Sequence, residues 1–253
     1  MSVLNKEFST PYNTAPFKQI SDEDFLPAFE IAIKKAQKEI DNITKSKAIP
    51  SFKNTIEALE FSGQELDRIS SLFFNINAAE TNETIQEIAQ KVSPLLSSFG
   101  NDVMLNTSLF ERVKTVYNSN NEMLNEEQKT LLNQRYKSFS RNGANLTKSE
   151  KDELRKIDKE LSQLKLKFGE HILAETNKFE MLLTDEEDLS GMPDGAKEAA
   201  KQLAENKGKD GWLITLDYPS YIPFMTYVDS RQLREKLSKA FGSKGFKGDE
   251  LDN

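Results

Sequence analysis

Between residues 21 and 176 apolar residues recur at alternating steps of three and four, with charged and polar residues filling the positions between. That period marks amphipathic helices with one buried stripe. The first stripe runs through Phe25, Phe29, Ala32 or Ile33, Ala36, Ile40 and Ile43. Ser21 and Asp24 suit its entry, and Pro27 places the start of the regular helix close by. A second stripe, Phe52, Ile56, Leu59, Gly63, Leu66, Ile69, Phe73 and Ile76, follows a break at 48–51. Gly63 on that stripe implies either close approach of a neighbouring helix or a break between two helices. The third stripe is Ile85, Ile88, Val92, Leu95, Phe99 and Val103, which Pro94 is expected to kink or divide. Leu109, Phe110, Val113, Val116 and Tyr117 mark a short helix, residues 118–121 a polar break, and about 125–139 another helix. The sharpest pattern spans 147 to about 176. Thr147 and Glu150 form a capping box, and Leu154, Ile157, Leu161, Leu164, Phe168 and His171 make a heptad-like seam between densely charged faces. Such a seam is expected to pack antiparallel against another long helix.

The two ends read differently. Residues 1–20 carry Pro11 and Pro16 and no period, and are expected to form an extended arm on the surface. Beyond residue 177, two short runs rich in β-forming residues, at about 178–184 and 211–217, are expected to pair as one small sheet. A helix at about 196–206 lies between them, and a last helix at about 229–241 precedes a glycine- and charge-rich stretch, 242–253. The fold class is therefore mainly α: a multi-helix antiparallel bundle with one small β-sheet near the C-terminal end. The expected organisation is an arm (1–20), a bundle (21–176), a sheet with helices packed on that bundle (177–241) and a linker cut short (242–253). No repeat of solenoid period is present.

Composition narrows the chemistry. At 253 residues, 37% hydrophobic and 30% charged, the chain can build a substantial core and is too apolar for wholesale disorder. A net charge of −7 argues against a nucleic-acid partner, because phosphate contacts need a surplus of Lys and Arg. There are no cysteines, which removes disulfides, thiolate metal sites and cysteine nucleophiles. No apolar run approaches membrane-spanning length, the first residues lack a signal-peptide core, and a cytoplasmic location is expected. The four Asn-x-Ser/Thr sequons, at Asn42, Asn82, Asn106 and Asn145, read as chance without a secretion signal.

His171 is the single histidine, so a zinc site of three protein ligands or a histidine-dependent triad cannot be assembled from ordinary parts. Its place on the 154–168 seam reads as structural. The carboxylates of Asp185, Glu186, Glu187 and Asp188 read better as an acidic first turn capped by Thr184 than as a cation site, since no calcium-loop glycine accompanies them. Gly242 to Gly248 lacks the ending of a phosphate loop. The most distinctive stretch, LDYPSYIPFMTYVD from Leu216 to Asp229, holds two prolines and three tyrosines and is expected to be a rigid aromatic turn. Its tyrosines could bond an extended peptide backbone or simply close the core, and the chemistry alone favours closing the core.

The stretch GWLITLDYPSYIPFMTYVDSRQLREKL, from Gly211 to Leu237, closely resembles the thimet-oligopeptidase family of zinc metallopeptidases. FKNTIEALE (52–60), VSPLL (92–96), YKSFSRNGANL (136–146) and LLTDEEDLSGMP (182–193) resemble it in the same order, particularly the oligopeptidase A-like and peptidyl-dipeptidase-like bacterial members. The resemblance implies a cytosolic parent protein that hydrolyses short peptides in a channel between two mostly helical halves. It implies a catalytic zinc held by an H-E-x-x-H helix and a further Glu. None of those residues occurs here, so no catalytic or metal residue carries over, no cofactor is expected in this segment, and the segment alone is expected to be inactive. The implied role is that of an N-terminal portion forming one channel wall, with the C-terminal catalytic half as its partner. Tyr218 and Tyr221 are the candidates for facing that channel. A rival reading is a free-standing acidic helical module with a groove for a partner helix.

Overall fold

The computed structural model describes residues 2–119, 123–246 and 248–253, and divides into two compact units, Met1–Leu164 and Lys165–Asn253. Among the described residues the chain is mainly helical with one small antiparallel sheet, as the patterning predicts.

In the first unit α1 (Phe25–Thr44) is the central element, burying Phe25, Ala28, Phe29, Ala32, Ala36, Ile40 and Ile43. Its entry is fixed by the Asp24 carboxylate, which accepts the Ser21 backbone N–H at 3.0 Å. A π-helical turn at Phe52–Glu57 and the short α2 (Ala58–Glu60) lead to Gly63, which adopts φ 77° ahead of α3 (Gln64–Ala79). Of the two readings of Gly63, the break between helices is the one realised. A methyl group there would sit 3.9 Å from Ala36 Cβ, an ordinary contact, so the left-handed backbone is what requires glycine. Then α4 (Glu83–Met104) runs through Pro94 undivided. Ile85, Ile88, Ala89 and Val92 are all buried ahead of it, and that burial outweighs the one backbone bond a proline removes.

Next come α5 (Thr107–Tyr117) and α6 (Glu126–Arg141), joined in one core by Phe110, Val113, Leu132 and Phe139. The expected polar break at 118–121 lies partly outside the described residues. Arg112, although buried, donates to the Ser46 carbonyl at 3.1 Å and to Asn54 Oδ1 at 3.1 Å, tying the 46–54 connection to α5.

The N-terminal residues are not a surface arm throughout. They form 3-10 turns at Val3–Asn5, Pro11–Asn13 and Phe17–Gln19, with Leu4 and Phe8 buried. Arg68 holds them by donating to the Leu4 carbonyl at 3.2 Å and the Lys6 carbonyl at 2.9 Å, with its guanidinium 5.0 Å from the Phe8 ring centroid. Periodicity could not reveal this, because two isolated apolar residues make no stripe.

The helix α7 (Lys148–Lys178) begins at the expected box, with the Thr147 backbone N–H donating to Glu150 at 2.8 Å. Its seam departs from expectation. Ile157, Leu161, Leu164 and Phe168 are 52%, 44%, 53% and 54% exposed, so no described helix covers them.

In the second unit β1 (Met181–Leu183) pairs antiparallel with β2 (Trp212–Ile214), with Met181 opposite Ile214. Met181 and Leu183 point into a core shared with Leu189, Phe224 and Leu237, while Leu182 points out, the period-two alternation of a half-buried strand. The acidic run forms a 3-10 turn, Glu186–Leu189, capped by Asp185 rather than Thr184: the Glu187 N–H donates to Asp185 Oδ1 at 3.0 Å. After α8 (Asp194–Asn206) and β2, residues 218–227 correct the aromatic-turn expectation. They form a regular helix, α9 (Tyr218–Tyr227). Pro219 occupies the first turn, where no intrahelical N–H is needed, and the fully buried Phe224 anchors the helix past Pro223.

Last, α10 (Arg231–Gly242) precedes a stretch that folds back on α7. There the Gly245 N–H donates to the buried Glu175 carboxylate at 2.7 Å, and Asn253 N–H to the Gly245 carbonyl at 3.1 Å. These bonds order part of the 242–253 stretch, expected as a linker cut short; residue 247 lies outside the described residues. Among the described residues, no helix is long and apolar enough to cross a membrane.

Candidate functional site

The second unit brings the two candidate tyrosines together at the start of α9. The turn from Thr215 to Tyr221 is closely stitched. Thr215 N–H donates to Ser220 Oγ at 3.0 Å, Thr215 Oγ1 to the Asp217 carboxylate at 3.0 Å, and Tyr221 N–H to the Asp217 carbonyl at 2.7 Å. Those bonds fix the direction in which α9 leaves the sheet. Tyr218 and Tyr221, three residues apart, fall on one helix face. Both meet Phe241 of α10. Tyr221 stacks on it at 4.2 Å and 25°, and Tyr218 meets it edge-on at 5.9 Å and 64°. Lys244 Nζ lies 4.0 Å from the centroid of the same Phe241 ring.

The two tyrosines differ in exposure. Tyr218 is 67% exposed, whereas Tyr221 is half-buried and packs on the core of the unit. Ile222 and Tyr227 add exposed apolar surface on the same helix. The result is an amphipathic aromatic surface carrying a nearby cation. It can stack on a flat or apolar group while the phenol hydroxyls donate to or accept from a peptide backbone. Beside it, a cavity of about 270 Å³ opens between α8 and the start of α9, with Ala196, Leu203 and Leu213 on its apolar wall and Thr215, Asp217 and Ser220 at its polar edge.

The remaining candidates stay apart. His171 lies half-buried on α7 with Nδ1 lacking a hydrogen-bond partner among the described residues. No group of three His, Cys, Asp or Glu that could hold a metal ion occurs among those residues. One histidine without such a cluster among the described residues does not fit a catalytic zinc. Sequence reasoning did not foresee the uncovered face of α7. Spacing reveals that a helix has an apolar stripe, and only the packed structure reveals whether something covers it.

Comparison with known proteins supplies what the geometry lacks. The chain is 32% identical over 244 residues to dipeptidyl carboxypeptidase of Salmonella typhimurium, across 96% of this chain and 36% of that protein. It is 30% identical over 236 residues to oligopeptidase A of Escherichia coli, across 93% of this chain and 35% of that protein. Along nearly its whole length the chain is thus similar to peptidases of the thimet-oligopeptidase family. A further relative, the probable cytosolic oligopeptidase A of Arabidopsis thaliana, is 29% identical over 253 residues. The chain spans about a third of the length of these curated relatives. No family model matches it.

Proposed function

We propose that the chain is the N-terminal, non-catalytic portion of a zinc-dependent oligopeptidase or peptidyl-dipeptidase that hydrolyses short peptides in the cytoplasm. The observation that carries this reading is similarity along nearly the whole chain to peptidases of which it spans about a third. The chain's single histidine also rules out an H-E-x-x-H motif within its own sequence. On this reading the zinc and its general base belong to the remaining two thirds of the polypeptide, and the metal supplies an activated water there.

This portion forms one wall of the substrate channel, and Tyr218 and Tyr221 face the peptide. A wall of this kind excludes folded proteins by size and holds an extended peptide near the metal, which is a positioning role. The test is Tyr218→Phe and Tyr221→Phe in the full-length polypeptide that carries this sequence. Each removes a hydroxyl and keeps the ring contact with Phe241. The expected result is a several-fold rise in KM for a short quenched peptide with kcat little changed, the pattern of lost uniform binding. Unaltered kinetics in both variants would remove the tyrosines from the channel. The reading frame beyond Asn253 separates the peptidase from the stand-alone module: an H-E-x-x-H continuation supports the peptidase, and a stop codon there supports the module.

A further inference from the structure

A cavity of about 640 Å³ opens in the first unit, where α4 passes the turn between α6 and α7. Its lining comes wholly from residues 97–158, inside that unit. Two polar side chains that line it lack partners among the described residues. Asn101 of α4 is only 8% exposed, and its side-chain amide forms no hydrogen bond there; only its backbone is engaged, the carbonyl accepting from the Leu105 N–H at 2.9 Å and from Arg155 at 3.4 Å. Ser140, in the last turn of α6, has a buried Oγ with no partner. Buried polar groups in native proteins are nearly always paired, so two orphans lining one cavity point to a ligand that pairs them.

The chemistry of the lining defines that ligand. The Asn101 amide offers a donor and an acceptor side by side, the match of the C=O and N–H of a peptide unit, and the Ser140 hydroxyl can give or take one more bond. Arg141, exposed, and Asp158, half-buried, bring one charge of each sign. Neither is engaged in an ion pair among the described residues. Arg141 suits a free carboxylate and Asp158 a free ammonium. Met104 and Leu154 supply an apolar wall for a side chain. The volume falls within the range of small-molecule sites, about 300–1,000 Å³. A free amino acid carries both charges and no amide, and a capped peptide carries amides and neither charge. A free short peptide carries all three.

We propose that this cavity binds a free dipeptide, with its carboxylate on Arg141, its ammonium on Asp158 and its peptide unit on the Asn101 amide. Ser140 and Arg141 come from the 136–146 run, which the channel-wall reading leaves without a role. The proposal rests on the cavity's own residues, so its failure leaves the peptidase reading standing.

The probe is glycyl-leucine, titrated from about 0.1 mM to about 20 mM into the full-length polypeptide that carries this sequence, after chelation to stop hydrolysis. The isotope-labelled methyl signal of Met104, assigned through Met104→Leu, reports on the cavity itself. The expected result is a saturable shift with a Kd of about 1 mM, ordinary for a ligand of this size. Leucine and N-acetylglycyl-leucine amide are each expected to bind about tenfold more weakly. Arg141→Gln is expected to weaken glycyl-leucine about tenfold and to leave glycyl-leucine amide unaffected. Asp158→Asn is expected to weaken glycyl-leucine to a similar degree and to leave N-acetylglycyl-leucine unaffected. Asn101→Leu is expected to abolish binding with the thermal midpoint unchanged or higher, because it removes an unpaired buried amide. Absence of a saturable shift overturns the proposal, as does a shift that both charge variants or Asn101→Leu retain at full strength. A shift seen with residues 1–253 but not with the full-length polypeptide also overturns it, and assigns the cavity to the rest of that polypeptide.

Discussion

Replacing Phe73 by Ala tests whether the first unit is built as its apolar stripes imply. Phe73 is fully buried at the crossing of α1 and α3. Its ring meets Phe25 at 5.0 Å, Phe29 at 5.5 Å and Phe74 at 5.1 Å, all edge to face. Truncating a buried Phe to Ala costs about 3–5 kcal/mol, through lost transfer energy and the cavity left behind. Three aromatic contacts, each worth about 0.5–1.5 kcal/mol beyond area burial, favour the middle or upper part of that range. A loss of about 4 kcal/mol lowers the midpoint by about 8–16 °C, using about 2–4 °C per kcal/mol for a unit of this size. Thermal unfolding followed by far-ultraviolet circular dichroism reads the shift. Phe73→Leu, which keeps most of the volume, is expected to cost less than half as much. Phe17→Ala, at a 61% exposed position, is expected to stay within about 0.5 kcal/mol of the original. A Phe73→Ala midpoint no lower than that of Phe17→Ala would refute the packing described for α1 and α3.

Two further perturbations probe the N-terminal clasp and the end of α9. Burial pulls the Glu65 pKa upward, but hydrogen bonds from Lys35 and Asn5, with the charges of Lys35 and Arg68, together hold it below the usual carboxylate range. A folded-state pKa below the unfolded value, about 4.3, means this stabilisation is complete above that pH and lost as pH falls through the folded value. Glu65→Gln is therefore expected to lower the midpoint at neutral pH and to flatten its decline below about pH 4.5; an unchanged slope in that window would count against the clasp. At Gly191, φ is +86° and a Cβ would lie 2.1 Å from the Tyr227 carbonyl oxygen. Gly191→Ala is expected to cost about 2 kcal/mol or more, read by the fluorescence of Trp212, the only tryptophan, whereas Gly195→Ala meets open space and is expected to be neutral.

Much of the architecture was legible because it rests on repeated local signals. The stripe from Phe25 to Ile43, the box at Thr147 and Glu150, and the paired runs around Met181 and Trp212 each combine period with a start or stop residue. What escaped the sequence depended on single long-range contacts. Leu4 and Phe8 lie in a segment that Arg68 holds by the Leu4 and Lys6 carbonyls and Asn5 by the Ala28 carbonyl and Glu65. Tyr218 to Tyr227 is helical because Phe224 is anchored in a core assembled from five other elements, which two prolines conceal. The 242–253 stretch is tied to α7 by the buried carboxylate of Glu175 and the hydroxyl of Thr176, about 70 residues away in sequence. The candidate tyrosines were readable as a motif, while their shared contact with Phe241 required the fold to bring α9 and α10 together.

The central claim is that the chemistry of peptide hydrolysis lies outside these 253 residues. Its most direct test compares two purified proteins with one short quenched peptide: residues 1–253 with added zinc, and the full-length polypeptide that carries them. The account predicts chelator-sensitive cleavage by the full-length polypeptide and none by residues 1–253. Specific, chelator-sensitive cleavage by residues 1–253 alone would contradict it.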